Sequence, residues 1–204
     1  MTPERKERLL SVLNKRQANL TVVLEDVQDP HNVAAVMRTC DAVGIQDIYV
    51  ITTLAPRRKR WGHKSSSSAE RWLTIHQFDN VAECFAVLRT KYERILTTHL
   101  AADAVSLHDI DFSGAVALVF GNEQNGVSEQ ARELADGNFI IPQMGIIRSL
   151  NISVACAVSI YEAMRQKTVA GHYRERGLPE EQYTTLLEEW GFKAEDLHDD
   201  ESLI

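Results

Sequence analysis

The sequence predicts an α/β domain with a mostly parallel sheet covered by helices on both faces, and three observations carry that reading. Short apolar runs of strand length alternate with longer segments whose apolar residues recur every three or four positions. The first run, Thr21-Val-Val-Leu24, has the pattern of a buried strand. A chain of 204 residues with 44% hydrophobic content can bury one substantial core with short extensions.

Thr2 caps a helix reaching about residue 15, with Pro3 in its first turn and Leu9, Leu10 and Leu13 on one face. After the strand at 21–24, residues 32–43 form a helix in which Val33, Val36, Met37 and Cys40 share a face, and Gly44 ends it. A strand follows at 47–51. Residues 52–69 are polar, basic and serine-rich (Ser65 to Ser68), the composition of a mobile loop. A short strand is expected at 72–75. Asn80 then opens a helix, with Glu83 three residues on as in a capping box. Strands at 94–98 and 115–120, a short helix capped by Ser128, and a strand at 139–141 precede a long helix at 152–167. A small helix at 180–190 and a frayed end complete the chain. The organisation expected is a basic N-terminal helix at 1–19, a main domain at 20–170, and an extension with an acidic tail at 171–204.

No apolar stretch approaches the ~20 residues that span a bilayer, and the charged N-terminus has no signal-peptide core. Cys40, Cys84 and Cys156 are scattered, without CxxC pairing or metal spacing, which points to reduced thiols in a cytoplasmic protein and to no metal site. The net charge is −7, but residues 180–204 carry nine acidic side chains against Lys193, so the remainder is close to neutral. Within it, Arg5, Lys6, Arg8, Lys15 and Arg16 form one basic cluster. Arg57, Arg58, Lys59, Arg60 and Lys64 form a second, and Arg165, Lys167, Arg174 and Arg176 a third. Phosphate binding follows local potential rather than net charge, so these clusters are candidate contacts for the phosphates of a nucleic acid.

Three stretches concentrate residues suited to a site. Residues 145–159 pass from loop to helix with Ser149 and Asn151 at the junction, followed by the small residues Ser153, Ala155, Ala157 and Ser159. Such a junction suits a polar ligand and a close helix contact together. Residues 30–44 carry Asn32 and Arg38, and residues 118–128 carry Gly121-Asn-Glu-Gln-Asn-Gly126. The glycines of that last run have phosphate-loop spacing, but Val127-Ser128 stands where Lys-Ser/Thr is required, and no GxGxxG follows an early strand.

In order and spacing the three stretches resemble the motifs of the SpoU branch of the SPOUT RNA 2′-O-methyltransferases, from about residue 20 to about residue 190. The resemblance implies a C-terminal deep trefoil knot within about 94–167, a connectivity no propensity could foretell. It implies S-adenosyl-L-methionine as methyl donor, held by Thr98, His99, Leu100, Gly121, Ile141, Ser149 and Leu150. Glycine permits close backbone approach there, and Ile141 and Leu150 can sandwich a ring.

The family pattern gives proton removal to Arg38. Arginine normally stays protonated, so either the substrate phosphate helps receive the proton, or Arg38 clamps that phosphate while another group takes it. Asn32 is matched to orienting Arg38 and the sugar, Glu123 to fixing Arg38 or a hydroxyl, and Ser149 and Asn151 to donors for ribose and cofactor. His31 and His99 carry no catalytic role in the family. Arg148 stands where relatives have glutamine, which bears on RNA contacts. The short N-terminal segment and the tail through Trp190 resemble the tRNA enzymes that methylate guanosine 18 of the D-loop. The alternatives are an enzyme for 23S ribosomal RNA and a non-catalytic RNA-binding protein on the same fold. A homodimer through the knot region is expected, bringing the 32–38 helix of one copy beside the cofactor loop of the other.

Overall fold

The computed structural model describes residues 1–54, 69–101, 104–147 and 149–193. Among these residues seven strands form one sheet: β1 (Leu20–Glu25), β2 (Asp47–Ile51), β3 (Thr74–Phe78), β4 (Arg94–Thr98), β5 (Val105–Ser106), β6 (Val116–Phe120) and β7 (Gly137–Ile140). Their order is β3-β2-β1-β6-β4-β7-β5, and every pairing is parallel. The helices are α1 (Pro3–Leu13), α2 (Pro30–Val43), α3 (Val81–Arg89), α4 (Glu129–Leu134), α5 (Ile152–Val169) and α6 (Glu180–Glu189).

Side-chain alternation along the central strands builds two cores. Leu20, Val22 and Leu24 of β1 join Val116, Leu118 and Phe120 of β6 beneath α2 and α5. The intervening Val23, Ala117 and Val119 face the other way and pack under α3 and α4. Both faces of the sheet are thus covered, as a parallel sheet requires. A third cluster unites the termini: Leu13 of α1 packs with Leu178, Tyr183, Leu186, Leu187, Trp190 and Phe192, with Leu9, Leu10 and Trp72 alongside. The α2 helix ends where Gly44 turns left-handed at φ 84°; a Cβ there would also meet the Lys15 carbonyl oxygen at 2.7 Å.

Several sequence expectations are corrected. The third strand starts at Thr74, not at residue 72, because Trp72 turns into the terminal cluster, edge-on to Trp190 at 5.2 Å between ring centroids. The two-residue β5 was not anticipated. The last strand runs from Gly137 to Ile140 rather than over 139–141. The α2 helix begins at Pro30, and its cap is Asp29, whose side chain accepts from the His31 amide at 2.8 Å. Asn32 therefore lies inside the first turn with its side chain available for other partners.

Two expected RNA contacts are structural cations instead. Arg16 is fully buried; its guanidinium donates to Asp41 Oδ1 (2.5 Å), the Ile45 carbonyl (3.0 Å) and the Trp72 carbonyl (3.3 Å), and lies 5.5 Å over the Trp190 ring. Lys167 is equally buried, its Nζ donating to the Gly114 carbonyl at 2.9 Å, and burial draws its pKa down to about 8. Neither can reach a phosphate.

Candidate active site

The strand order reverses direction at β1, with β2 and β3 on one side and β6, β4, β7 and β5 on the other. In open parallel sheets, ligands bind beyond the carboxyl ends of the strands near such a reversal. A cavity of about 690 Å³ lies there, lined by residues that follow β4, β6 and β7 and by the start of α5. All seven expected cofactor residues line it: Thr98, His99, Leu100, Gly121, Ile141, Ser149 and Leu150. Glu123 and Asn151 line it too.

Its walls follow from local chemistry. Strand β6 ends at Phe120, and the chain folds back at once through paired Asn122 and Gly126 backbones (2.8 and 3.0 Å). So tight is this return that a Cβ on Gly121 would sit 2.2 Å from the Val127 nitrogen, so glycine is obligatory. Asn122 holds the loop from within: its Oδ1 accepts from the Gln124 and Asn125 amides, and its Nδ2 donates to the Asp26 carbonyl at 2.9 Å. Opposite, α5 starts at its cap Asn151, whose Oδ1 accepts from the Ser153 amide (2.9 Å) and hydroxyl (2.6 Å).

A relay of amides crosses the mouth. Asn151 Nδ2 donates to Asn32 Oδ1 at 3.1 Å, and Asn32 Nδ2 donates to Glu123 Oε1 at 2.9 Å. Each amide uses both ends, so one orientation fixes the next, and the chain ends on a carboxylate. Asn32 thus sits beside the Gly121 loop of its own chain. Arg38 is exposed, does not line the cavity, and has no partner among the described residues. Six residues of helix separate it from Asn32 by about 120° around the axis, so the two point apart.

His99 Nε2 lies 3.0 Å from the Arg132 guanidinium. Since arginine only donates, that nitrogen carries its lone pair toward Arg132. His31 is exposed on the first turn of α2. The three cysteines are buried and unpaired, and burial pushes the Cys84 thiol up to about 12, leaving it neutral and inert.

Of the basic residues, Arg5, Arg8, Arg174 and Arg176 are exposed. Arg165 is held by Glu162 at 2.7 Å, and that pairing draws the Glu162 carboxyl down to about 2. Arg176 pairs with Glu180 at 3.3 Å and lies 4.5 Å over Tyr183. Arg57, Arg58, Lys59, Arg60, Lys64, Arg148 and the acidic tail from residue 194 lie outside the described residues. Asn122, Gln124, Asn125 and Gln143 line the cavity within the Gly121 loop and the 141–145 segment, both expected as cofactor walls, whereas Phe139 of β7 lines it without having been expected there. No described helix is long and apolar enough to cross a membrane, and the described residues hold no cluster of metal-ligating side chains.

The chain resembles known proteins along most of its length. It is 37% identical over 194 residues to the tRNA (guanosine(18)-2′-O)-methyltransferase of Escherichia coli K12, covering 94% of this chain and 84% of that one. The crystal structure of the Aquifex aeolicus TrmH/SpoU tRNA modifying enzyme superposes with a TM-score of 0.84 at 34% identity, covering 92% of this chain and 94% of that one. An AdoMet-bound rRNA methyltransferase from Sinorhizobium meliloti matches with a TM-score of 0.65 at 27% identity, over 76% of this chain and 59% of that one. Residues 19–161 match the SpoU rRNA Methylase family, and with this cavity, sheet order and similarity the chain belongs to that family of AdoMet-dependent methyltransferases.

Proposed function

We propose that this enzyme transfers a methyl group from S-adenosylmethionine to the ribose 2′-hydroxyl of guanosine 18 in the D-loop of tRNA. The observation that carries the reading is the Asn151–Asn32–Glu123 relay across the mouth of the cavity, which joins all three motif stretches at one point. Similarity to tRNA (guanosine(18)-2′-O)-methyltransferases over 94% of the chain supplies the substrate.

The residues present fit the cofactor. The cavity is ample for a nucleoside with a short amino-acid arm, and Ile141 and Leu150 offer apolar walls for the adenine. Backbone around Gly121 and residues 140–143 can read its edge, while Ser149 and Asn151 suit the polar arm. When bound, the group supplies an electrophilic methyl carbon on sulfur.

The protein's own task is to aim the ribose oxygen and to handle its proton. Fixing oxygen, carbon and sulfur in line supplies much of the rate. Asn32 and Asn151 hold the Glu123 carboxylate still, and its other oxygen remains open to a hydroxyl or a guanidinium. Ser149, exposed at the rim, can donate to the sugar. Arg38 either clamps the phosphate next to the target or passes the hydroxyl proton to it.

We further infer a homodimer, because α5 buries Ile152, Cys156, Ile160 and Ala163 against the core yet exposes Val154, Val158 and Tyr161 along its other side. Ile146, Ile147 and Leu150 extend this apolar surface. A twofold pairing there would let Arg38, which faces away from its own cavity, serve the cavity of the second copy. The knot within about 94–167, the domain limits at 19 and 170 and a cytoplasmic location belong to the same proposal. Support for the location comes from three unpaired, buried cysteines.

The test is methyl transfer from labelled cofactor to unmodified tRNA and to ribosomal RNA, followed by mapping of the methylated nucleoside. Label confined to the ribose of guanosine 18 supports the assignment. Label on ribosomal RNA alone, or none on either, refutes it.

A further inference from the structure

A second cavity, of about 330 Å³, lies at the opposite end of the sheet, lined by Arg5, Arg8, Leu9, Val12, Arg16, Asp41, Trp72 and Trp190. Arg5, Arg8, Leu9 and Val12 follow the i, i+3, i+4, i+7 spacing of one helix face, so α1 forms one wall. Two indoles form another wall, and the Arg16–Asp41 pair lies at the base. We propose that this cavity binds one unstacked nucleotide of the RNA substrate, at a point remote from the nucleotide being methylated. The proposal rests on the reading of the protein as an RNA methyltransferase.

The lining favours a nucleotide over other occupants because it answers three chemistries at once. Arg5 and Arg8 are exposed and have no partner among the described residues, so both are available to phosphate oxygens. Trp72, half-buried, supplies π surface backed edge-on by the buried Trp190, and sequence-tolerant stacking of bases on aromatic rings is the usual means of holding single-stranded nucleic acid. Asp41 gives only Oδ1 to Arg16, leaving its second oxygen as an acceptor for a base amino group. A simple anion would gain nothing from the indoles and would be repelled by Asp41. The buried Nε of Arg16, a residue at the base of the cavity, has no hydrogen-bond partner. The volume falls within the ~300–1,000 Å³ range of small-ligand sites.

The position is also informative. Arg16 precedes β1 and Trp72 precedes β3, whereas the first cavity follows the carboxyl ends of the strands. An RNA touching both must span the sheet, which a folded RNA can do and a lone nucleotide cannot.

The experiment uses tryptophan emission in a Trp61→Phe background, where Trp72 and Trp190 are the remaining indoles. Guanosine 5′-monophosphate should quench it, and unmodified tRNA should do so at lower concentration. Arg5→Ala/Arg8→Ala should abolish quenching by the mononucleotide, weaken tRNA binding roughly tenfold, and reduce its salt slope by about two. Cofactor affinity and thermal midpoint should not move. Trp72→Phe, which keeps an aromatic ring, should retain part of the tRNA affinity. Equal quenching by inorganic phosphate or an acidic peptide would overturn the proposal, as would unchanged tRNA affinity in the double variant. If the wild-type protein methylates no tRNA but the mononucleotide still quenches, the functional reading falls and the cavity assignment stands.

Discussion

At the carboxyl end of α2 the Arg16 guanidinium is sealed between Asp41, Ile45, Trp72 and Trp190, whereas midway along the same helix Arg38 stands exposed without a partner among the described residues. The two regions use one chemical group in opposite ways. Buried, with its donors directed at a carboxylate and three carbonyls, Arg16 ties the α1–β1 connection, the end of α2 and the approach to β3 into one unit. Its charge is consumed by the fold. Arg38 contributes nothing visible to folding, and an exposed arginine on the helix face turned away from its own cavity is available for substrate. Exposure together with an absence of partners, rather than charge, separates a working arginine from a structural one.

Mutations at the two positions should separate in kind. Arg38→Ala is expected to lower turnover by about a thousandfold, the scale of lost proton-transfer or charge assistance. Its unfolding midpoint and cofactor affinity should stay near those of the parent. Arg38→Lys should fail as well, since lysine lacks the planar fork. A cofactor affinity that falls as far as the rate would move Arg38 into the structural class.

Arg16→Ala should do the reverse. Removing this fully buried guanidinium empties a packed site and leaves backbone carbonyls without their donor, at a cost on the order of 3 kcal/mol, to which the solvent-contacting Asp41 carboxylate adds little. Urea unfolding would show this loss, while enzyme that remains folded keeps its cofactor affinity.

A smaller effect concerns Lys167, another cation consumed by the fold. Its pKa, drawn by burial to about 8 from an ordinary 10.5, means that the native state binds fewer protons than the unfolded chain between those values. Native stability attributable to this residue therefore rises as pH rises through that window. The stability of Lys167→Met relative to wild type should be greatest near pH 7.5 and decline toward pH 10.5, as read by chemical denaturation. A pH-independent difference would contradict the assignment of burial as the cause.

The smallest difference lies within the third basic cluster. Arg165 is engaged by Glu162, whereas Arg174 is exposed with no partner among the described residues. Arg174→Ala should weaken tRNA binding more than Arg165→Ala in a filter-binding titration at low salt.

The parallel core was readable because strands buried on both faces leave uninterrupted apolar runs, as in Thr21-Val-Val-Leu24 and Ala117-Leu-Val-Phe120. The cavity residues were readable through the motifs, since the ends of β4, β6 and β7 converge only in a sheet of this order. What escaped notice depends on distant partners. Arg16 meets Asp41 across 25 residues and Lys167 meets Gly114 across 53, so neither burial leaves a local trace. Trp72 looked like the start of a strand because an indole suits one, but Trp190, far along the chain, draws it elsewhere. The two-residue β5 is too short for periodicity to register. The Asn32–Glu123 bond spans 91 residues, and its partner choice is decided by the tight return after Gly121.

If Arg38 is unpartnered because its work lies on a second copy of the chain, the site is assembled from two subunits. Subunit mixing tests this most directly. Arg38→Ala and Asn151→Ala proteins, each inactive alone, are combined under exchange conditions and assayed for tRNA methylation. Half of the random dimers would be mixed, and each of these would hold one intact site, so about a quarter of wild-type activity should return. A mixture no more active than either variant alone would contradict the account and place Arg38 at the cavity of its own chain.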